Sequence, residues 1–512
     1  MDMIADLAAG AAAIADPWVI LFVFLGAVIG MVFGAAPGLT ATSAIVLFLP
    51  VTYAMGPTTS MALLLGIYCS GYFAGSIPAI LLNTPGAPGS AATALDGYAM
   101  AQQGYGDRAI LTAVMSSFVG GLFSLLLLAL IAPSLARVAL SFTSVEYFTF
   151  ALVGIVCVAG ISRGSMIKGL AAAFIGVLAS TVGLDPVSGV GRFLFGQPNL
   201  MGGIPTTAAL IGLFAVAQMM LLTAKGRQEA EVLPVQQTTS VAEVLKDFTR
   251  NKFLMLKSAV VGALIGILPG TGPSIASWVS YSDALRTAKP GDRYGKGEPK
   301  GLIACEVSNN AVTGGALVPL LTLGIPGDPV TAVLIGALMI QGFETGPFFI
   351  PHNTPLFYSI LILLLISNFL MLGIGIAGRR LAAKVLEIPH GIMVPTILCV
   401  AGAGAFSLAS NPFYLKLVII FGAMGYLMVR FKIPTAPAVL GIVLGPILEQ
   451  NLRNALTAND MDATVFVTRP ISAVTLAFMC LLLWVWLKPA KKSDDSGDGG
   501  GSGTPSDAEL KG

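Results

Sequence analysis

Charge is what this sequence has least of. Only 11% of its 512 residues are Asp, Glu, Lys or Arg, while 55% are hydrophobic; an average soluble protein has roughly 25% charged residues. A soluble globule of this composition would have too few charges for its surface, and a disordered chain would be far less apolar. The remaining class is a polytopic membrane protein built from apolar spans of about 20 residues.

Metal-binding and catalytic patterns are also missing from the sequence. It has two His and five scattered Cys, without a CxxC or Cys/His cluster, so neither a zinc site nor a disulfide framework is indicated. It has no Walker A, GxSxG or HExxH motif, which argues against an ATPase or a hydrolase. The net charge of +2 does not favour nucleic acid. We therefore expect no enzyme activity, no cofactor and no metal.

The apolar runs predict an all-α polytopic membrane protein with about 10 to 14 membrane segments. Ser240 and Glu243 form a capping-box pattern that begins an amphipathic helix, either on the membrane surface or in a solvated loop. The predicted domains are residues 1–223 (first membrane half), 224–257 (cytoplasmic linker), 258–487 (second membrane half) and 488–512 (disordered cytoplasmic tail).

Two Pro-Gly motifs occur in each half and indicate an internal duplication. GSIPAILLNTPGAPGS (75–90) aligns with GALVPLLTLGIPGDP (315–329) at an offset of 241 residues, which superposes four Pro or Gly positions. GAVIGMVFGAAPG (26–38) similarly resembles GALIGILPG (262–270). Pro and Gly break helices, so each half is predicted to contain broken or re-entrant helices.

The distribution of basic residues predicts that the two copies are inverted. The first 107 residues contain no Lys or Arg, whereas residues 224–257 and 283–300 are both basic. Cytoplasmic loops are enriched in Lys and Arg, so both flanks of residues 258–281 should be cytoplasmic, and this segment should form a hairpin. The first copy would then enter from the opposite side, with a periplasmic N-terminus, as in the inverted repeats of secondary transporters.

The broken helices should form a substrate site, because free backbone N–H groups attract anions and free carbonyl groups attract cations. Small hydroxyl and amide residues surround each break; their simpler role is packing and helix back-bonding. The candidate substrate-binding residues are Pro37, Gly38, Thr40, Ser43, Asn83, Thr84, Pro85, Gly86, Pro269, Gly270, Thr271, Gly272, Asn309, Asn310, Thr313, Pro326 and Gly327.

Asp328 is the candidate ion-coupling residue. It lies in the turn Gly-Ile-Pro-Gly-Asp-Pro, inside a stretch from residue 301 to 378 that has no Lys or Arg. A carboxylate there suits a cation or a proton, and equally suits a helix N-cap before Pro329. For Asp96 a loop-end cap is favoured over a functional role.

Four blocks of the sequence resemble the large membrane subunit of the tripartite tricarboxylate transporters, the TctA family. The similarity extends over about residues 18–485. The blocks are PGLTATSAIVLFLP (37–50), GSIPAILLNTPGAPGSAATALDGYAMAQQG (75–104), PGTGPSIASWVSY (269–281) and EVSNNAVTGGALVPLLTLGIPGDPVTAVLIGALMIQG (306–342).

The resemblance implies a bacterial inner-membrane permease that takes up carboxylates, such as citrate or another di- or tricarboxylate, using a Na⁺ or H⁺ gradient. It also implies two protein partners, a small membrane subunit of about four spans and a periplasmic substrate-binding protein. The residues alone leave two other functions open, an ion or solute channel and an integral-membrane enzyme. Saturable, gradient-dependent uptake would separate a transporter from a channel.

Overall fold

A computed structural model of the chain describes residues 3–161, 166–225, 232–235, 238–270, 272–407 and 411–487. Thr271 and the predicted tail at 488–512 lie outside the described residues. The first half contains α1 Met3–Ile14, α2 Pro17–Ala35, α3 Ala41–Phe48, α4 Pro57–Ala74, α5 Ser76–Leu82, α6 Thr93–Gln102, α7 Gly106–Ala139, α8 Ser144–Ile161, α9 Met166–Ser180, α10 Thr206–Leu210 and α11 Ala217–Lys225.

The linker and the second half are also helical. They contain α12 Val241–Arg250, α13 Lys252–Ile267, α14 Gly272–Arg286, α15 Pro299–Leu323, α16 Pro329–Ile340, α17 Phe349–His352, α18 Thr354–Gly378, α19 Ala382–Leu386, α20 His390–Ser407, α21 Pro412–Arg430, α22 Thr435–Ala458, α23 Val465–Thr468 and α24 Pro470–Leu487. Short 3₁₀ helices cover Leu49–Ala54, Pro88–Ser90 and Pro198–Leu200, a π-helix covers Ile211–Val216, and β1 Gly183–Leu184 pairs antiparallel with β2 Gly191–Arg192.

The predicted all-α membrane fold is confirmed. Within the described residues, seven helices are long and apolar enough to cross a membrane, and six apolar helices are shorter. Large apolar side chains are exposed on the outside of the protein, for example Trp18 and Phe24 of α2 and Leu130 of α7. Such a surface suits contact with lipid rather than water.

The linker helix α12 begins where it was predicted. Ser240 accepts a hydrogen bond from the N–H of Ala242 at 3.2 Å, which caps the helix. Val244 and Phe248 are buried in an apolar cluster, whereas Leu245 is exposed. The helix therefore packs its apolar face on the protein.

Segment 258–281 forms the predicted hairpin. Lys257 near the start of α13 and Asp283 near the end of α14 form an ion pair, with 2.6 Å between Lys257 Nζ and Asp283 Oδ2. A straight helix of that length would separate these residues by about 39 Å, at 1.5 Å per residue. The chain therefore turns back at Pro269 and Gly270, which end α13.

Close helix packing recurs in the two halves at equivalent positions. A Cβ atom on Gly30 of α2 would lie 2.5 Å from the carbonyl oxygen of Ile67 of α4, and a Cβ atom on Gly262 of α13 would lie 2.3 Å from that of Ser308 of α15. Ile67 and Ser308 are 241 residues apart, the offset of the Pro-Gly motifs. Glycine permits this backbone contact in both pairs.

An ion cluster anchors the far end of α22 to the β1–β2 hairpin. Asp185 pairs with Arg453 at 3.0 Å and Arg192 pairs with Glu449 at 2.6 Å. The backbone N–H of Ser188 and then the Arg453 guanidinium hold the pKa of Asp185 well below its usual range. These ion pairs hold the C-terminal half of α22 in place. The N-terminus of the same helix lines a cavity between the two halves of the protein.

Candidate functional site

A cavity of about 580 Å³ lies where the breaks of both halves meet. This volume is within the 300–1,000 Å³ of typical ligand sites. Its wall contains residues 40–43 and 87–88 of the first half, and residues 270, 272–275, 309 and 329 of the second half. Each of the four Pro-Gly motifs thus contributes at least one residue to the wall of the same cavity.

Four helices begin at this cavity. Ala41 of α3, Gly272 of α14, Pro329 of α16 and Thr435 of α22 are first residues of their helices, and all four line the wall. Each helix N-terminus carries roughly half a positive charge and backbone N–H groups that have no acceptor within the helix. Thr40 accepts one of these groups in α3, and Asp328 accepts one in α16. The cavity is therefore suited to an anion.

The wall offers hydrogen-bonding groups and no formal charge. Among the described residues that line it, none is Asp, Glu, Lys or Arg. Leu213, Phe214 and Trp278 supply apolar surface. The polar lining residues are Thr40, Thr42, Ser43, Tyr72, Gln218, Ser274, Asn309 and Thr435.

Thr40 and Ser43 are brought to the cavity by the first break. Gly38, with a φ of +83°, turns the chain after α2; Pro37 precedes it. Thr40 then caps α3 by accepting the N–H of Ser43 at 3.2 Å. Pro37 and Gly38 are not among the cavity-lining residues; they shape the turn that presents Thr40 and Ser43.

The third and fourth motifs meet through their backbones. The N–H of Gly270, a cavity-lining residue, donates to the carbonyl oxygen of Gly327 at 2.9 Å. A Cβ on Gly327 would lie 2.6 Å from the carbonyl oxygen of Gly266. Pro269 and Pro326 flank this contact without lining the cavity. These residues hold the break together, while Gly270 and Gly272 form the wall.

The second motif differs from its predicted role as a wall element. Asn83, Thr84 and Pro85 are exposed and do not line the cavity. Asn83 ends α5 in the left-handed conformation, with a φ of 53°. Gly86 is buried, and its N–H donates to the carbonyl oxygen of Gly75 at 3.1 Å. The turn at Asn83 faces outward, and only the following Ala-Pro pair reaches the cavity.

Of the three polar candidates on α15, only Asn309 lines the cavity. Its side-chain amide donates to the carbonyl oxygen of Tyr72 at 3.2 Å. Asn310 is fully buried and its amide contacts Met371 Sδ at 3.3 Å. Thr313 is buried, and its hydroxyl donates to the carbonyl oxygen of Asn310 at 2.7 Å. Asn310 and Thr313 lie behind the wall.

Asp328 is buried one layer behind the cavity and is saturated with hydrogen bonds. Tyr68 and Tyr72 donate to Oδ2 at 3.0 and 2.5 Å. The N–H of Thr331 donates to Oδ1 at 2.7 Å, and the Thr331 hydroxyl accepts the Asp328 N–H, which makes a capping box for α16. Of the two roles predicted for Asp328, the N-cap is the one visible in these contacts.

Asp96 has the structural role that the sequence favoured. Asp96 accepts hydrogen bonds from the Tyr281 hydroxyl at 2.9 Å and from the N–H groups of Gly297 and Glu298 at 3.0 and 2.8 Å. It therefore ties the loop before α15 to α6. Among the described residues, no group of three or more His, Cys, Asp or Glu could hold a metal ion.

Tyr72, Gln218 and Thr435 line the cavity but were not predicted. Thr435 had a readable signal, because Ile433-Pro434-Thr435 repeats Ile204-Pro205-Thr206 before a second apolar helix. Gln218 is an amide within an apolar run, next to the π-helix Ile211–Val216, and π-helical turns are frequent at functional sites. Tyr72 carried no such signal.

Comparison with known proteins gives a consistent result. Residues 20–440 match the family described as "Tripartite tricarboxylate transporter TctA family". A curated relative from Agrobacterium vitis, "Uncharacterized 52.8 kDa protein in TAR-I ttuC' 3'region", is 37% identical over 493 residues, 96% of this chain and 98% of the relative. "Uncharacterized protein in TAR-II ttuC' 3'region" from the same organism is 39% identical over 224 residues, 43% of this chain and 93% of the relative. No solved structure matches the chain.

Proposed function

Because the chain belongs to the TctA family of tripartite tricarboxylate transporters, we propose that it is the permease through which a carboxylate enters the cell, driven by an ion gradient. The observation that supports this most is the convergence of four helix N-termini on one uncharged cavity. Such a site can bind an anionic substrate without a fixed cation. A site of this kind also releases the anion more readily than one that contains Arg.

The proposal includes two partners and a location. A small membrane subunit completes the permease in the bacterial inner membrane, and a periplasmic binding protein delivers the carboxylate. The coupling ion is Na⁺ or H⁺. Family membership supports an assembly with other subunits, and the exposed apolar faces support contact with lipid and with a membrane partner.

The proposal also includes alternating access between two inverted repeats. Tyr68 of α4 donates to the carbonyl oxygen of Thr313 of α15 at 3.3 Å, and Asn309 of α15 donates to that of Tyr72 of α4 at 3.2 Å. With the 241-residue offset, Tyr68 corresponds to Asn309 and Tyr72 corresponds to Thr313. The contact between residues 68 and 313 is therefore equivalent to the contact between residues 309 and 72. Later residues of one helix meet earlier residues of the other, which supports equivalent helices running in opposite directions.

Uptake measurements test the transport function. Proteoliposomes with the complete three-component system should accumulate labelled citrate or succinate only when an ion gradient and the binding protein are both present. Uptake should saturate with substrate concentration. Accumulation driven by ATP without a gradient, or unsaturable flux through the membrane subunits alone, would contradict the proposal.

Labelling of single cysteines tests the orientation. In a background without the five native cysteines, Thr249→Cys and Ala288→Cys place thiols at exposed positions on either side of the hairpin. An impermeant reagent should label both from the cytoplasmic side and neither from the periplasmic side. Labelling of either one from the periplasm would reject the proposed orientation.

A further inference from the structure

Glu306 is a second buried carboxylate, and it has no cationic partner. It lies in the middle of α15 with 0% of its surface exposed. Thr93 donates its hydroxyl to Oε1, and Ser117 donates to Oε2 at 3.0 Å. Within the described part of the chain, none of the ion pairs includes Glu306.

The titratable groups of the packed helices do not neutralise it either. Cys305 precedes it on α15, Tyr72 lies on α4 beyond Asn309, and Tyr281 on α14 donates to Asp96 on α6. The α7 residue that hydrogen-bonds Glu306 is the neutral Ser117, and Lys257 of α13 is paired with Asp283. An ionised carboxylate is costly in such surroundings. Ionisable residues inside the membrane segments of a protein mark ion or proton pathways.

Asn309 connects Glu306 to the cavity. It follows Glu306 by three residues on α15, about one helical turn, and it lines the cavity wall. Its Oδ1 lies 2.5 Å from the position that a Cβ on Gly89 of the second motif would occupy. A change of charge at Glu306 would therefore change the electrostatic potential at the cavity wall.

The partners of Glu306 suit both protonation states. The Thr93 and Ser117 hydroxyl groups can donate to a carboxylate, and each can accept from a carboxylic acid after rotation. Asp328 differs, because a backbone N–H from Thr331 can only donate to it. Protonation of Glu306 requires only rotation of the Thr93 and Ser117 hydroxyl groups.

We propose that Glu306 is the proton-binding group that couples carboxylate binding to a proton gradient. The inference depends on the proposed transport function and specifies its coupling ion. Ionised Glu306 repels an anion in the cavity; one proton, taken up on a carboxylate oxygen before or with the substrate and released on the other side, removes this repulsion. By linkage, substrate binding favours protonation to the same extent. The effect on substrate affinity should be roughly tenfold or more.

Glu306→Gln tests the coupling because it resembles the protonated state. In proteoliposomes with the complete system, labelled citrate and succinate are measured in counterflow and in accumulation driven by a pH gradient. Glu306→Gln should retain counterflow within about twofold and lose at least tenfold of the accumulation. Glu306→Asp should keep gradient-driven accumulation at a reduced level. The matched control is Glu344→Gln, since Glu344 is exposed and should behave as wild type.

Several results would overturn the inference. One is gradient-driven accumulation by Glu306→Gln equal to wild type; another is accumulation that follows a sodium gradient and is insensitive to pH in both proteins. If wild type moves neither carboxylate in counterflow, the proposed transport function fails instead.

Infrared titration of the purified protein tests protonation independently of transport. As the pH falls, the protonated-carboxyl absorption of wild type should include one component that is missing from the same titration of Glu306→Gln. Identical titrations would overturn the inference. If Glu306→Gln inserts poorly into the membrane, Glu306→Asp replaces it in this measurement, and the protonated-carboxyl band should then shift.

Discussion

The two copies of the broken helix have nearly the same backbone. In the first, the N–H of Thr84 donates to the carbonyl oxygen of Pro78 at 3.2 Å; in the second, that of Ile325 donates to Pro319 at 3.3 Å. Both pairs are 241 residues apart, and the residue before each amide is left-handed. The duplicated feature is thus a turn geometry, imposed by Pro and by the left-handed residue.

The side-chain chemistry of the copies has diverged. Glu306 and Asp328 of the second copy correspond to Leu65 and Ala87 of the first. Both carboxylates are fully buried, and only the second copy has a long capped helix after its break. The first copy therefore provides shape, and the second adds ionisable groups to the same shape.

Removal of the Asp328 side chain should have the largest effect on stability. Asp328→Ala removes the cap of α16, leaves the Tyr72 hydroxyl without its acceptor and leaves Tyr68 with only the carbonyl oxygen of Thr313, a loss of about 3 kcal/mol. Thermal unfolding in detergent would show it. Ala87→Gly, at the equivalent position without a side-chain cap, is the matched control and should cost far less. Equal losses in the two variants would contradict the asymmetry.

Alanine at the equivalent glycines should have similar effects in both copies. A Cβ on Gly86 would lie 2.7 Å from the carbonyl oxygen of Gly34, and one on Gly327 would lie 2.6 Å from that of Gly266. Each substitution should destabilise the protein by about 2 kcal/mol. The control is Gly373→Ala, since a Cβ there meets nothing within 4 Å. Tolerance of Gly86→Ala alone would show that the first break is not packed as the second is.

Much of the fold could be predicted from apolar runs and from Pro and Gly. In the sequence, the apolar run at residues 470–487 coincides with α24, whereas the apolar run at residues 433–449 ends before α22 does at Ala458. The helix continues because Glu449 and Arg453 form ion pairs that hydropathy does not reveal. The positions of the breaks were readable because Pro and Gly act locally.

The orientation of side chains at the breaks was less predictable. Asn83 and Asn309 are equally polar and both lie close to a Pro-Gly motif, yet one is exposed and the other lines the cavity. Which side of a turn faces a cavity depends on how distant helices pack, such as α14 against α15. Likewise, Tyr72 reaches the wall because Asp328, 256 residues away, accepts its hydroxyl.

Breaking the ion pair across the hairpin should have a small effect. Lys257 and Asp283 are 40% and 30% exposed, so Asp283→Asn should cost less than about 1 kcal/mol. The exchange Lys257→Asp with Asp283→Lys should restore part of the loss relative to either single charge reversal. A double-mutant cycle of unfolding measures the coupling. No coupling at low salt would mean that this pair does not help to close the hairpin.

Asn83→Asp should have the smallest effect. The sequence alone predicts a roughly tenfold loss of uptake, because a negative charge beside an anion site is unfavourable. In the structure Asn83 is exposed and outside the cavity wall, so the new charge does not adjoin the proposed anion and uptake should stay within about twofold. Aspartate also tolerates the left-handed conformation at this position. Asn309→Asp is the matched variant; it places the same charge in the wall and should reduce uptake about tenfold or more. Substrate affinity measured in counterflow decides between them. A larger loss for Asn83→Asp than for Asn309→Asp would place the anion at the outer turn of the first copy.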